Sequence, residues 1–304
     1  MKNLINHKNL KTILLSIIIL IGIFFRFYNY NLQDFWWDEL MEFTTTNPNL
    51  TMGETFQRAH SFTIGTNLEY DFATNANFYF YIFKFFLGLF SYTPGTARLI
   101  VVFFGTFVFI LSIYIYYKYF GKNLLVFSII IASNYYLIIQ SQEFKYNIFF
   151  CLISLISILF FFMFIKNKDS KYKKLIKFFY FLSIFLTVWT HIFGFIIFFS
   201  QLLCLLIKER NILINNFFYY LSLPFLYFLV NFKQLLNFSK IEKFHIPELQ
   251  KEFFLDYNFK YFFGSNISGK IFLLIFLLLF IFNFKKLFKS KFEISFLIIL
   301  ILMT

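Results

Sequence analysis

Long uncharged apolar runs, separated by short charged segments, constrain this chain more than any other feature of its sequence. The runs at 96–117, 123–140 and 146–165 each approach the roughly 20 residues that a helix needs to cross a bilayer. The chain is 60% hydrophobic and 14% charged, whereas about 25% of the residues in a soluble domain are charged. The sequence therefore predicts an all-α polytopic membrane protein with about eight or nine transmembrane helices.

The remaining predicted spans can be placed from the same hydropathy pattern. They cover about 12–29, two helices within 177–207 that meet at Thr190–Gly194, then 212–232 and 271–284. The apolar run at 76–90 is short for a span, which favours a helix lying in the membrane interface. The last run, 292–304, is also too short to span, so we expect the chain to continue beyond Thr304. We predict a single transmembrane domain over 1–304.

Basic residues indicate how the predicted spans are oriented. Assigning spans alternately from a cytoplasmic N-terminus puts most Lys and Arg residues inside and most carboxylates outside. The inside group is Lys2, Lys8, Lys11, Lys118, Lys122, the lysines between 166 and 177, Lys208, Arg210, Lys285, Lys286, Lys289 and Lys291. The positive-inside rule explains this distribution, so the net charge of +13 does not indicate nucleic-acid binding. The first span lacks a small-residue cleavage site and is expected to remain as an anchor.

Two outer loops follow from this topology: a catalytic loop over 30–95, which contains interfacial helices, and a second loop over 233–270. Residues 34–42 of the first loop carry four carboxylates beside Trp36 and Trp37. Such a cluster cannot lie in hydrocarbon, and ionisable groups next to a membrane are functional candidates. Tryptophan rings prefer the headgroup boundary. The alternative is a solvated pair of loop acids at Asp38 and Glu39.

Further polar residues are expected on the same side of the membrane, although the topology was assigned from loop charges alone. The whole set is Asp34, Asp38 and Glu39 after span 1, Lys84 and Arg98 around the start of span 2, Glu143 and Lys145 after span 3, and His191 between spans 5 and 6. Structural alternatives exist for several of them. Lys145 fits a snorkelling lysine at the end of a span, Arg98 an interfacial anchor and His191 a packing residue. No His or Cys spacing indicates a metal site.

The order of these motifs resembles the GT-C class of integral-membrane glycosyltransferases, in the bacterial branch near the protein O-mannosyltransferases and lipid A aminoarabinose transferases (families 39 and 83). The matching pieces are Arg26 followed by Phe35-Trp36-Trp37-Asp38-Glu39, then Asn77-Phe78-Tyr79-Phe80-Tyr81, Arg98, Phe120-Gly121, Ser141-Gln142-Glu143 and Thr190-His191-Ile192-Phe193-Gly194. The resemblance covers about 1–210, and the rest of the chain adds little beyond hydropathy.

The resemblance implies roles for particular residues. Asp38 corresponds to the catalytic base, with Glu39 beside it, and Lys145 corresponds to a residue that contacts the donor phosphate. We expect Arg98 and Lys84 to assist at the phosphate, and Glu143, His191 and Asp34 to support the site. The chain departs from the family at two places. Lys145 replaces the usual Arg, which loses the bidentate fork, and Asn75-Ala76-Asn77 replaces a His-Pro-Pro segment.

The expected activity is inverting transfer of a sugar from a polyprenyl-phosphate donor to a hydroxyl on a glycan, lipid or protein acceptor. It would take place on the outer face of a bacterial inner membrane, among membrane lipids. No cofactor is required by the sequence, and a divalent metal is compatible with this class. Two alternatives stay open: a multi-pass transporter or lipid flippase, and a non-enzymatic assembly protein. A transporter would favour polar groups at mid-membrane depth and paired repeats.

Overall fold

The computed structural model describes residues 7–60, 62–64, 68–70, 77–121, 123–166 and 171–238, with 267, 270, 271, 274, 292–294 and 296. This part of the chain is mostly helical. Its helices are α1 (His7–Phe27), α2 (Trp37–Thr45), α3 (Met52–His60), α4 (Asn77–Leu89), α5 (Pro94–Tyr119), α6 (Leu124–Ala132), α7 (Tyr135–Gln140), α8 (Tyr146–Lys166), α9 (Lys173–Thr190), α10 (Gly194–Lys208), α11 (Arg210–Asn215) and α12 (Phe217–Phe238). A short antiparallel hairpin, β1 (Phe62–Ile64) and β2 (Leu68–Tyr70), interrupts the helices.

Three of the described helices are long and apolar enough to cross a membrane: Asn9–Phe27, Pro94–Tyr119 and Tyr146–Lys166. Shorter apolar stretches lie at Phe78–Leu89, Gly194–Lys208 and Phe217–Leu229. The structure thus has the helical, apolar character expected of a membrane protein, while the count of eight or nine spans stays a prediction. The predicted span 271–284, the run 292–304 and nearly all of the loop 233–270 lie outside the described residues.

One predicted helix is divided in the structure, and one predicted break between helices is confirmed. The predicted span over 123–140 is divided into α6 and α7, which are separated at Ser133 and Asn134. The Asn134 side chain accepts a hydrogen bond of 2.9 Å from the Leu137 backbone N–H, so it caps α7. The break between α9 and α10 lies at 191–193, as predicted from the sequence.

The start and end of α5 have clear local causes. Thr93 caps its first turn by accepting from the Thr96 N–H at 3.2 Å, and Pro94 occupies the first helical position, where a missing N–H costs nothing. The helix ends at Tyr119, and Gly121 follows it with a φ of +66°, which glycine adopts without steric cost. Both ends of α5 are therefore defined by local sequence, and Arg98 lies one turn after the N-terminal end.

The chain divides into two compact units, Met1–Phe199 with Phe217–Val230, and Ser200–Asn216 with Asn231–Thr304. The single transmembrane domain over 1–304 stays a prediction. In the first unit an apolar core with many aromatic rings joins α2, α4, α5 and α8. Its fully buried members include Tyr79 and Phe83 of α4 and Phe144, next to α8. In the second unit Cys204 and Phe296 are buried. All of the candidate site residues belong to the first unit.

Candidate functional site

A cleft of about 370 Å³ opens at the junction of α2, α3, α4 and α8. It is lined by Trp37, Asp38, Met41, Glu42, Thr45, Arg58, Phe80, Lys145, Tyr146 and Asn147. Helix α2 supplies half of this wall, because Asp38, Met41, Glu42 and Thr45 recur every three or four residues and share one helical face. Acidic and basic side chains face each other across an otherwise apolar opening.

Asp38 and Lys145 meet in this cleft. The Lys145 Nζ lies 3.5 Å from the Asp38 Oδ2, although the two residues belong to segments more than a hundred positions apart. The Asp38 side chain is 72% exposed and that of Lys145 is 25% exposed. Lys145 directly precedes α8, whose N-terminal backbone N–H groups favour negative charge nearby. This arrangement combines an accessible carboxylate with a cationic position suited to a phosphate.

Glu39 has a different environment from its neighbour Asp38. Its carboxylate is fully buried and accepts four hydrogen bonds, two from Arg98 at 3.1 and 2.8 Å. The other two come from the backbone N–H groups of Phe144, at 2.7 Å, and Trp36, at 3.0 Å. Both carboxylate oxygens are therefore occupied, and Glu39 does not line the cleft. The expected catalytic pair consists of one cleft residue and one buried residue.

Arg98 is likewise engaged within the protein. Besides Glu39, its guanidinium donates to the carbonyl oxygens of Gln33 and Asp34, and it lies 4.9 Å from the centre of the Phe35 ring. Arg98 thereby joins the start of α5 to the segment that leads into α2. Its side chain is 4% exposed, so the geometry assigns it to holding this segment, whereas we expected it to contact a donor phosphate.

Lys84 and Asp34 also lie away from the cleft wall. The Lys84 ammonium is buried and donates to the Leu50 and Thr51 carbonyl oxygens and to the Thr55 hydroxyl, the last at 3.0 Å. It therefore attaches α3 to α4. The Asp34 side chain is exposed, and its backbone carbonyl is the group that contacts Arg98. Lys84 therefore does not line the cleft, where we expected it to assist at the donor phosphate, and Asp34, expected to support the site, does not line it either.

Glu143 and His191 adjoin the cleft without lining it. Glu143 lies 3.8 Å from the Lys145 Nζ, and burial raises the pKa of its carboxyl while Lys145 opposes that shift. The His191 ring stacks on Tyr146, a cleft residue, with ring centres 5.0 Å apart. Its Nδ1 accepts from the Phe193 N–H at 3.1 Å, and burial lowers its pKa. His191 thus packs behind the cleft against Tyr146, in agreement with the packing alternative.

Sequence reasoning missed the second carboxyl of the cleft, Glu42. Its Oε2 is shielded from solvent and makes no hydrogen bond of normal geometry, and the same holds for the buried Tyr79 hydroxyl that faces it. Burial raises the pKa of Glu42 to about 8, with a smaller contribution from Asp38 in the same direction. Tyr79, Lys145 and the Tyr146 backbone oppose the shift. The spacing of four between Asp38 and Glu42 was the available signal, because it places both on one helical face.

Arg58 is a second missed residue. It lines the cleft from α3, and its guanidinium makes one long hydrogen bond, 3.4 Å, to the Thr44 carbonyl oxygen. It is the only Lys or Arg between positions 30 and 75 of an acidic segment, which was a usable signal. Together with Lys145 it gives the cleft two cationic groups.

Among the residues that the structure describes, no three His, Cys, Asp or Glu side chains are grouped as a metal ion would require. The two cysteines, Cys151 and Cys204, are free thiols. Comparison with known proteins adds no further assignment: no protein-family model, curated protein or solved structure matches the chain.

Proposed function

We propose that this protein is a membrane glycosyltransferase that moves a sugar from a polyprenyl-phosphate donor to an acceptor hydroxyl. The observation that carries the proposal is the Asp38–Lys145 pair, 3.5 Å apart in a cleft that both residues line. A general base and a phosphate-binding cation must lie within one sugar's breadth of each other for this reaction. The adjacent apolar helices are suited to a lipid-linked donor, whose tail stays in the bilayer.

In the proposed reaction the acceptor oxygen bonds to the anomeric carbon as the bond from that carbon to the phosphate oxygen breaks. Asp38 takes the hydroxyl proton, and the polyprenyl phosphate leaves with its charge facing Lys145. A positioned general base contributes about 10²–10⁴-fold to the rate. The remainder comes from orientation of the two substrates and from cationic stabilisation of the leaving group.

The ion pair has to open when the donor binds, because a sugar cannot fit between groups that are 3.5 Å apart. The donor phosphate would replace Asp38 as the partner of Lys145. This exchange releases the Asp38 carboxylate toward the acceptor hydroxyl. Arg58, which α3 contributes to the lining, adds a second positive charge to the same cleft.

The test is transfer from a labelled polyprenyl-phosphate sugar by the purified protein in nanodiscs, measured as release of polyprenyl phosphate. We expect Asp38→Asn to abolish release while donor binding and expression persist. Lys145→Ala should weaken donor binding much more than Lys145→Arg. The matched control is Glu54→Gln, an exposed acid on α3 that does not line the cleft.

Near-normal release by Asp38→Asn would remove the base assignment, and equal donor binding by the two Lys145 variants would reduce that residue to a membrane anchor. Movement of the intact lipid-linked sugar across the bilayer without release of phosphate would favour the transporter alternative. A protein that does neither, and whose function tolerates Asp38 substitution, would fit the assembly alternative.

A further inference from the structure

The environment of Glu42 has no explanation in the reaction proposed above. Glu42 lies one helical turn after Asp38 and lines the same cleft, yet its Oε2 points into the protein toward Tyr79. Neither this oxygen nor the Tyr79 hydroxyl has a hydrogen-bond partner of normal geometry. Buried polar groups in native proteins are nearly always satisfied, and Tyr79 is the hydrogen-bonding side chain that faces this oxygen. Glu42 is thus held from inside the protein while it also forms part of the cleft wall.

The charge state of Glu42 sets it apart from Asp38. The groups facing it are Asp38 on its own helix, Tyr79 on α4, and Lys145 and Tyr146 at the start of α8. Because burial outweighs the opposing groups, its pKa rises to about 8 and the carboxyl retains its proton at neutral pH. A protonated carboxyl donates one hydrogen bond and accepts another, whereas an ionised carboxylate only accepts.

We infer that Glu42 is a ligand-binding residue that recognises a hydroxyl group of the transferred sugar, and that Tyr79 is the positioning residue that holds its carboxyl. Tyr79 is 0% exposed and does not line the cleft, so it acts on the ligand only through Glu42. A phenol O–H that donates to Oε2 leaves the other oxygen, with its proton, for the ligand. The inference rests on the proposed function, since it assigns the sugar-binding part of the same cleft.

The test compares equilibrium binding of undecaprenyl-phosphate-glucose with that of bare undecaprenyl phosphate to the full chain in nanodiscs. The readout is the dissociation constant of the bare lipid divided by that of the sugar-bearing lipid. This ratio isolates the sugar's contribution from that of the phosphate and tail. We expect Glu42→Leu to lower this ratio by about tenfold, the effect of one lost hydrogen bond, and Glu42→Gln to retain most of it. Binding of the bare lipid should be unchanged in both variants, and Glu54→Gln should behave as wild type.

Tyr79→Phe should lower the same ratio to a smaller extent and should have no further effect when combined with Glu42→Leu. A merely structural role for Tyr79 would weaken both lipids together and would add to the Glu42→Leu effect. The inference is overturned if Glu42→Leu leaves the ratio unchanged, or if it weakens the bare and the sugar-bearing lipid equally.

A separate measurement distinguishes this inference from the proposed function. The infrared band of the protonated Glu42 carboxyl, isolated as wild type minus Glu42→Gln, is recorded with and without methyl glucoside, which carries a sugar but no lipid phosphate. If wild type binds neither polyprenyl lipid but the sugar shifts the band, the donor proposal fails and the Glu42 assignment stands. If the lipids bind and the ratio is independent of Glu42, only the Glu42 assignment fails; if neither lipid binds and the band does not move, both fail.

Discussion

The buried pair between Glu39 and Arg98 gives a sharp prediction about stability. In Glu39→Gln the amide oxygen can accept from only some of the four donors that now contact the carboxylate, and the Arg98 charge loses its counter-ion. Removing one partner of a buried ion pair typically costs about 3–5 kcal/mol. Since a protein's free energy of unfolding is about 5–15 kcal/mol, this loss is a large part of the total.

A double-mutant cycle separates the pair from its surroundings. Arg98→Met retains the apolar stem and removes the charge, so combining it with Glu39→Gln should cost less than the sum of the two single changes. We expect a coupling energy of about 2–3 kcal/mol, at the upper end of the range for contacting residues. The double variant costs less than the sum of the single variants because it leaves neither charge buried without its partner.

Equilibrium unfolding in mixed micelles of increasing SDS content, followed by the fluorescence of Trp36 and Trp37 beside the pair, measures these free energies. Glu54 accepts from the Thr51 N–H at the start of α3, and the glutamine oxygen of Glu54→Gln can still accept there, so this variant should lie within about 1 kcal/mol of wild type. A loss below about 1 kcal/mol for Glu39→Gln, or strict additivity in the cycle, would refute the reasoning. Glu39→Gln should also reduce activity in proportion to the unfolded fraction, whereas Asp38→Asn should remove activity from a fully folded protein.

Three further predictions concern residues around the cleft. Lys84→Met removes the hydrogen bonds that attach α3 to α4, so proteolysis within α3 should accelerate while affinity for bare polyprenyl phosphate stays the same. A loss of affinity comparable to that of Lys145→Ala would instead show that Lys84 contacts the phosphate. Gly105→Ala would place a Cβ against the Ser141 side chain and 3.1 Å from the Ser141 Cα. The free energy of unfolding should therefore fall by about 1–3 kcal/mol, and an unchanged melting temperature would contradict this close approach. Because the pKa of Glu42 is raised from 4.5 to about 8, the folded state binds more protons than the unfolded state within that pH window. The free energy of unfolding of wild type should therefore fall as pH rises through the window, and Glu42→Gln should lose this slope. Equal slopes for the two proteins in denaturation series at several pH values would contradict the raised pKa.

Local sequence patterns predicted much of what the structure shows at the level of single elements. The hydropathy runs located α4, α5 and α8, and the polar break at 190–194 correctly separated α9 from α10. These features depend on side chains that are neighbours along the chain. The division of 123–140 into two helices was missed, because Asn134 caps α7 within a run whose average hydropathy is that of a span.

The roles of the individual acids depended on distant contacts. Asp38, Glu39 and Glu42 are acids of one short helix and are chemically alike in the sequence, so the motif alone grouped Asp38 with Glu39. In the structure α2 turns Glu39 toward Arg98, 59 positions away, and toward the Phe144 N–H, 105 positions away. It turns Asp38 and Glu42 toward the cleft instead.

The sequence by itself determined that the chain is helical, apolar enough for a membrane, and equipped with an acidic segment after its first helix, because these properties are sums over neighbouring residues. Only the tertiary structure decided which carboxylate is paired, which is exposed and which is buried with its proton. The physical reason is that the charge state and accessibility of an acid depend on the groups packed around it. For α2 those groups come from α4, α5 and the segment that leads into α8.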